Sequence, residues 1–195
     1  MQGCKSKRIL DVILSLFGLF FLMPFFIMFA FLIWLEDGKG IFYSQKRVGL
    51  NNKKFTIFKF RSMSRNSEEV PSYKLKDSKA VIEITPIGKF LRASAMDEAL
   101  QLINILKGEM SFVGPRPIMP REVALLNPDE AALRSSVVPG LTGLAQIFLD
   151  KYVPNEEKIK YDLQYIQKRS FLLDFQLIMR SLYVTFWCRW ERPQR

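Results

Sequence analysis

Residues 12–35 form a run of 24 without a single charged side chain, and that run limits what the chain can become. As a straight helix it would measure about 36 Å, enough to cross a hydrocarbon core of about 30 Å. The run is long for a removable signal peptide, and no small-residue cleavage site follows it. Pro24 stands at its middle, where it removes one helical hydrogen bond and crowds the carbonyl of Phe20. The arms on either side, 12 and 11 residues, each reach about 17 Å, half a bilayer. Lys5, Lys7 and Arg8 precede the run, and Lys39, Lys46, Arg47, Lys53 and Lys54 follow it. Basic residues on both flanks favour the cytoplasm for both ends. A kinked span and a helix that enters, bends at Pro24 and leaves on the same side both remain open, since membrane helices tolerate proline.

The rest of the 195 residues suffices for one domain of ordinary size. Net charge is +10, and residues 1–61 carry +7 of it, which favours anionic lipid, nucleic acid or phosphorylated substrates as partners. The chain has no histidine, which excludes His-based triads, His general bases and His-ligated zinc. Cys4 and Cys188 show neither ligand spacing nor a disulfide framework. No glycine-rich nucleotide loop is present, so a phosphate would have to be held by basic side chains or a metal.

The stretch 92–117 carries the chemistry. Ser94 is placed to cap a helix with Asp97 as its acidic partner, Leu100, Leu102, Ile103 and Leu106 recur at helical spacing, and Lys107-Gly108 is a stop. Asp97 and Glu98 then lie side by side in a first turn, where free N–H groups favour negative charge. An aspartate held there stays ionised at neutral pH, as a nucleophile requires. Glu98 points about 100° further round, so one carboxylate could attack a phosphate while the other holds a metal ion. Arg116, between Pro115 and Pro117, could grip an anion from a rigid backbone. The plainer reading is an acidic pair that only caps a helix, and a Gly-Pro-Arg-Pro segment that is only a turn.

Other segments read in order. Residues 41–48 and 54–60 form a hairpin, with Lys59 and Arg61 alternating with Phe58 and Phe60. Residues 62–79 are polar and aperiodic, a lid-like mobile loop. Thr85-Pro86 opens a short helix carrying Lys89 and Arg92 towards Asp97, and Asn127-Pro128 opens another. Residues 139–146 form a tight loop that could bring Gln146 to the site. A polar helix follows at 155–169. The apolar but interrupted stretch 171–190, with Trp187 and Trp190, reads as an interfacial amphipathic helix or as a core helix.

The sequence Ser94-Ala-Met-Asp97-Glu98 through Gly114-Pro115-Arg116-Pro117 resembles the signature of the bacterial sugar transferases, the monotopic phosphoglycosyl transferases. The resemblance extends to Gln45-Lys46-Arg47-Val48-Gly49, to Phe58-Lys59-Phe60-Arg61-Ser62-Met63 and to Pro139-Gly140-Leu141-Thr142-Gly143-Leu144-Ala145-Gln146. It implies a helix-rich α+β fold with a re-entrant helix-break-helix anchor over 1–36 and a small cytoplasmic catalytic domain over 37–195. It implies transfer of a sugar phosphate from a UDP-sugar to polyprenyl phosphate at the bacterial inner membrane. In that scheme Asp97 attacks, Glu98 holds Mg²⁺, and Lys59, Arg61, Arg92, Arg116 and Gln146 bind substrate. Membrane lipid is the expected surface and nucleic acid is not an expected partner; a homodimer is compatible with the sequence. Met23 departs from the family's usual serine before the proline, removing a hydroxyl that could stabilise the bend. A metal-dependent polyprenyl diphosphate phosphatase and a membrane-tethered basic nucleic-acid-binding module are the alternatives from other classes.

Overall fold

The computed structural model describes residues 5–38, 40–64, 83–150 and 153–190. It is helix-rich α+β, with one long apolar helix laid along a small mixed domain. That helix, α1 (Lys5–Asp37), has a mean hydropathy of 2.6 over its most apolar stretch, of which only 11% is buried. It is the one described helix long and apolar enough to cross a membrane. Pro24 lies inside it, and the helix runs through the proline as one element rather than as two arms around a break. Leu19 and Leu22 before Pro24, and Phe26 and Phe29 after it, pack on the domain and hold the flanking turns.

One stripe of α1 touches the domain along its whole length. Near its start, Lys7 Nζ donates to the Val113 carbonyl (2.8 Å), Tyr165 Oη (3.0 Å) and Asp174 Oδ2 (2.6 Å). Asp11 accepts from Ser111 Oγ and the Phe112 N–H. Gly18 lies against Leu102, and at the far end Glu36 Oε1 accepts from the Ile87 N–H at 3.2 Å. Those positions lie close to whole numbers of helical turns from one another, one face of a helix. The opposite face, with Ile13, Phe17, Phe20 and Phe31, is exposed.

Strands β1 (Phe42–Val48) and β2 (Lys54–Phe60) pair antiparallel from Phe42↔Phe60 to Val48↔Lys54, the expected hairpin to within a residue. Its turn is made by Asn51 and Asn52 at positive φ, a conformation asparagine tolerates. Alternate β2 side chains face opposite ways: Phe55 and Ile57 enter a cluster with Leu102, Ile105 and Met110, while Phe60 packs with Phe29, Ile33 and Leu91 of the second. Lys59 shares the parity of Phe55 and Ile57, which aims it into the domain.

Helix α2 (Pro86–Ala93) starts as expected, Thr85 Oγ1 accepting from Gly88 N with Pro86 in the first turn. The next segment does not. Ser94 ends α2 instead of capping a new helix: its hydroxyl donates back to the Phe90 and Leu91 carbonyls. Ala95, at φ 55°, reverses the chain, and Met96–Gln101 is a 3₁₀ helix with no side-chain cap, leading into α3 (Leu102–Lys107). Gly108 closes α3 in the left-handed conformation, as the sequence indicates.

Strand β3 (Ser111–Val113) pairs in parallel with β4 (Gly140–Thr142). Between them lie α4 (Pro120–Val123) and α5 (Pro128–Ser135), the latter capped by Asn127. Helix α6 (Leu144–Phe148), α7 (Asn155–Lys168) and α8 (Phe171–Phe186) complete the chain, so 139–146 is strand and helix rather than a loop. Helix α8 has one buried face and one exposed apolar face. Leu177 and Val184 are buried, while Phe171, Phe175, Met179, Leu182 and Phe186 are exposed. It ends at Phe186, short of Trp187 and Trp190. The loop expected at 62–79 lies beyond Ser64 outside the described residues; Ser64 N donates to the Glu83 carbonyl where the chain is next described.

Gly114 and Gly140 meet backbone to backbone, and a Cβ on Gly140 would overlap the main chain of Gly114. Gly140→Ala should therefore destabilise the protein by about 1–3 kcal/mol, read as a melting temperature lower by several degrees. An unchanged melting temperature would mean the two strands are free to separate.

Candidate active site

Asp97 and Glu98 sit at the start of the 3₁₀ helix, against β2 and the segment that follows β3. A 3₁₀ turn advances about 120° per residue, so the carboxylates diverge more than on the expected α-helix. Glu98 takes the cations. Lys59 Nζ lies 2.6 Å from its Oε1, Arg116 Nη2 also 2.6 Å from Oε1, and Arg116 Nη1 3.4 Å from Oε2. Burial alone would raise the Glu98 pKa; Arg116 and Lys59 outweigh it and hold the carboxyl well below the usual range. Lys59 itself is lowered, because its loss of hydration exceeds the help from Glu98. Arg116 is raised, chiefly by Glu98.

Asp97 behaves differently from the expectation for a helix start. Loss of hydration first, and the charge of Glu98 second, push its pKa up to about 6, against the pull of Lys59, Arg92 and Arg116. It remains mostly ionised at neutral pH, through nearby cations rather than a helix terminus. Although its side chain keeps some exposure, enough protein surrounds it to strip most of its water.

Of the residues singled out from sequence, Asp97, Glu98, Lys59, Arg92 and Arg116 come together. Arg61 does not join them: past the end of β2 its N–H donates to the Ile41 carbonyl, and no side-chain contact with the acidic pair is seen among the described residues. Gln146 makes no contact with the pair either. It lies beside Gly143 and Gly114, and both ends of its amide are buried without a hydrogen-bond partner among the described residues.

Five charged groups around Arg116 were not singled out as site residues. Arg47 Nη1 donates to the Pro117 carbonyl (3.3 Å) and lies 3.7 Å from Glu122. Arg134 pairs with Asp162 at 2.7 Å behind the Arg116 main chain. Lys158, on α7, is pushed down to about 8 by burial and then by the charge of Arg116. Arg47 falls in a block already noted for its resemblance; Arg134, Lys158 and Asp162 carry no local signal. A shallow cleft lined by Val48, Asn52, Pro115 and Ser135 opens next to Arg116.

Among the described residues no three carboxylate or cysteine side chains cluster as a metal cage. A hard cation that relies on substrate phosphates needs only one or two carboxylates. Glu98 Oε2, which takes the longer 3.4 Å contact from Arg116, has lone pairs that could serve a cation.

An acidic pair enclosed by cations thus sits on a domain that shares its core with a long apolar helix. The chain belongs to the bacterial sugar transferase family, whose profile matches residues 3–188. It is 36% identical over 196 residues to the exopolysaccharide production protein ExoY of Sinorhizobium fredii, covering 92% of this chain and 85% of that protein. It is 34% identical to the UDP-glucose:undecaprenyl-phosphate glucose-1-phosphate transferase of Klebsiella pneumoniae, over 92% of this chain and 40% of that one. It is 31% identical to the undecaprenyl-phosphate galactose phosphotransferase of Salmonella typhimurium, over 90% of this chain and 39% of that one.

Ionising a group whose folded pKa is raised costs stability. For Asp97 that loss begins above its ordinary value of 3.8 and is complete above about 6. In metal-free protein, Asp97→Asn should therefore melt above the wild type at pH 7–8, with the gap closing by about pH 4. A gap independent of pH would mean that Asp97 titrates normally.

Proposed function

We propose that this protein transfers a sugar phosphate from a UDP-sugar to polyprenyl phosphate, releasing UMP, through a phosphosugar carried on Asp97. The observation that carries the reading is the division of labour in the acidic pair: Lys59 and Arg116 place their ion pairs on Glu98, leaving Asp97 ionised beside them. The names of the Klebsiella and Salmonella relatives support the substrate classes.

In the first half-reaction an Asp97 carboxylate oxygen attacks the β-phosphorus. The bond from that phosphorus to the bridging oxygen breaks, and UMP leaves with the electron pair. In the second, an oxygen of polyprenyl phosphate attacks the same phosphorus, Asp97 leaves as carboxylate, and the polyprenyl diphosphate sugar forms. Arg116, Lys59 and Arg92 supply positive charge to the diphosphate, which relieves repulsion between it and Asp97. Glu98, through Oε2, with Asp97 alongside, would hold Mg²⁺; bound there, the ion would neutralise phosphate charge on substrate and leaving group. Gln146 has a buried amide free to meet a polar part of the substrate. Arg61 would act at longer range, from the end of β2.

The lipid acceptor sets the place of the site. Both ends of α1 dock on the same domain, Lys7 through Asp174 and Glu36 through Ile87 N, and its middle packs there too. A helix spanning the bilayer would put those ends in opposite headgroup layers. The docking supports a monotopic protein whose anchor lies against one leaflet at the cytoplasmic face of the inner membrane; Pro24 is where a bend would fall, and Met23 lends it no hydroxyl. The exposed apolar face of α8 would rest on the same leaflet.

Enzyme mixed with Mg²⁺ and a panel of UDP-glucose, UDP-galactose and UDP-N-acetylgalactosamine, without lipid, should release UMP in roughly stoichiometric amount with one of them and then nearly stop. A phosphosugar mass should appear on the peptide containing Asp97 and vanish on addition of undecaprenyl phosphate, and Asp97→Asn should show neither. Full turnover with lipid but no burst and no adduct would mean direct attack by the lipid phosphate.

Topology is tested separately. With Cys4 and Cys188 replaced by serine, cysteines at positions 5 and 52 should both resist impermeant thiol reagents added outside intact cells. Labelling at position 5 alone would make α1 a span.

A further inference from the structure

Arg116 is flanked by prolines, so its own N–H is the only main-chain donor in Pro115-Arg116-Pro117. All three carbonyls of that tripeptide have a named partner. The Pro115 carbonyl accepts from Gly140 N at 2.9 Å, and the Pro117 carbonyl from Arg47. The Arg116 carbonyl goes to a buried ion pair, accepting from Arg134 Nη2. Arg134 and Asp162 close on each other through Nε and Nη2, at 2.9 and 2.7 Å from the same carboxylate oxygen. Their side chains are 8% and 3% exposed, whereas that of Arg116 is 43% exposed.

A pair of this kind could simply hold α5 to α7. Yet buried ion pairs can often be replaced by apolar contacts without loss of stability. Val137, Tyr165 and Ile166 already form a core cluster in this part of the domain. What an apolar pair would not offer is a donor for the Arg116 carbonyl, itself held in place by a carboxylate. We propose that Arg134 and Asp162 are positioning residues for catalysis: they clamp the Arg116 peptide from behind, so that the guanidinium meets the substrate diphosphate from a fixed root. The proposal rests on the reading of Arg116 as a diphosphate-binding residue.

The test is a double-mutant cycle on the full-length protein, read as UMP release with undecaprenyl phosphate and the UDP-sugar that the wild type turns over. Arg134→Lys keeps the charge but has no fork to serve both Asp162 and the carbonyl. It should lower kcat/KM by about 10–100-fold when Arg116 is present. In an Arg116→Ala background, itself strongly impaired, the same change should cost no more than about twofold. A structural role predicts equal fractional losses in both backgrounds, tracking a lowered melting temperature. If Arg116→Ala costs nothing, the reading of the site itself fails. If Arg116→Ala is costly while Arg134→Lys costs nothing, or costs the same in both backgrounds, the positioning role fails. Asp162→Asn, which preserves the side-chain shape, runs through the same cycle should Arg134→Lys not fold. Failure of both to fold would make the pair a requirement of the fold and overturn the proposal.

Discussion

The double ion pair on Glu98 is the contact on which the rest of the site depends. Three stretches meet at one carboxylate: β2 through Lys59, the 3₁₀ helix through Glu98 itself, and the segment after β3 through Arg116. A carboxylate with 16% exposure stays charged only because two cations face it. Removing one partner of a buried pair typically costs about 3–5 kcal/mol, since the other is left uncompensated. The same charge, kept on Glu98, is one of the two causes that raise Asp97. Geometry and part of the tuning therefore come from one interaction: the cations fix Glu98, and fixed Glu98 adds to burial in making its neighbour a stronger base than a free aspartate.

The apolar helix belongs to the domain as much as to any membrane. Asp11 holds the Phe112 N–H in β3, two residues before the Gly114-Pro115-Arg116-Pro117 turn, and Phe29 and Ile33 share a cluster with Phe60, next to Lys59. The two cations of Glu98 are thus each within a residue or a few of a contact made by α1. The depth of α1 in a bilayer would be transmitted to the site through packed side chains rather than through a linker, as transfer between a soluble donor and a lipid acceptor requires.

Much of this could be read from the chain, for reasons that differ by residue. Adjacent carboxylates, a Pro-Arg-Pro segment and an inward lysine on an alternating strand are local patterns, and they converge as expected. Ser94 misled because Ser-x-x-Asp looks the same whether a helix is beginning or has just ended. Here Ser94 turns back to Phe90, and the reversal falls on Ala95, a residue type that gives no hint of positive φ. Gly114 and Gly140 each looked like turn residues; their need for contact with one another appears only when β3 and β4 pair. Arg134 and Asp162 are 28 residues apart, with no motif to join them. Arg61 lies one residue beyond β2, so the alternation that aims Lys59 inward does not by itself carry Arg61 to the acidic pair.

The prolines around Arg116 have a consequence that composition alone would not reveal. In an ordinary tripeptide three N–H groups would need acceptors, and burying the segment would leave each unpaired one costing about 1–3 kcal/mol. Here two donors are deleted covalently, so only the Arg116 N–H is left to need an acceptor. The three carbonyls that remain are met by one backbone N–H and two arginines. Those arginines are themselves charged, and each brings its own carboxylate, Glu122 or Asp162, so the turn is held without adding much net charge next to Glu98. Neutral donors could have done the same holding. Paired arginines do it with long planar groups that reach from β1 and α5 to one peptide segment, leaving the exposed guanidinium of Arg116 as the part of this cluster that meets solvent.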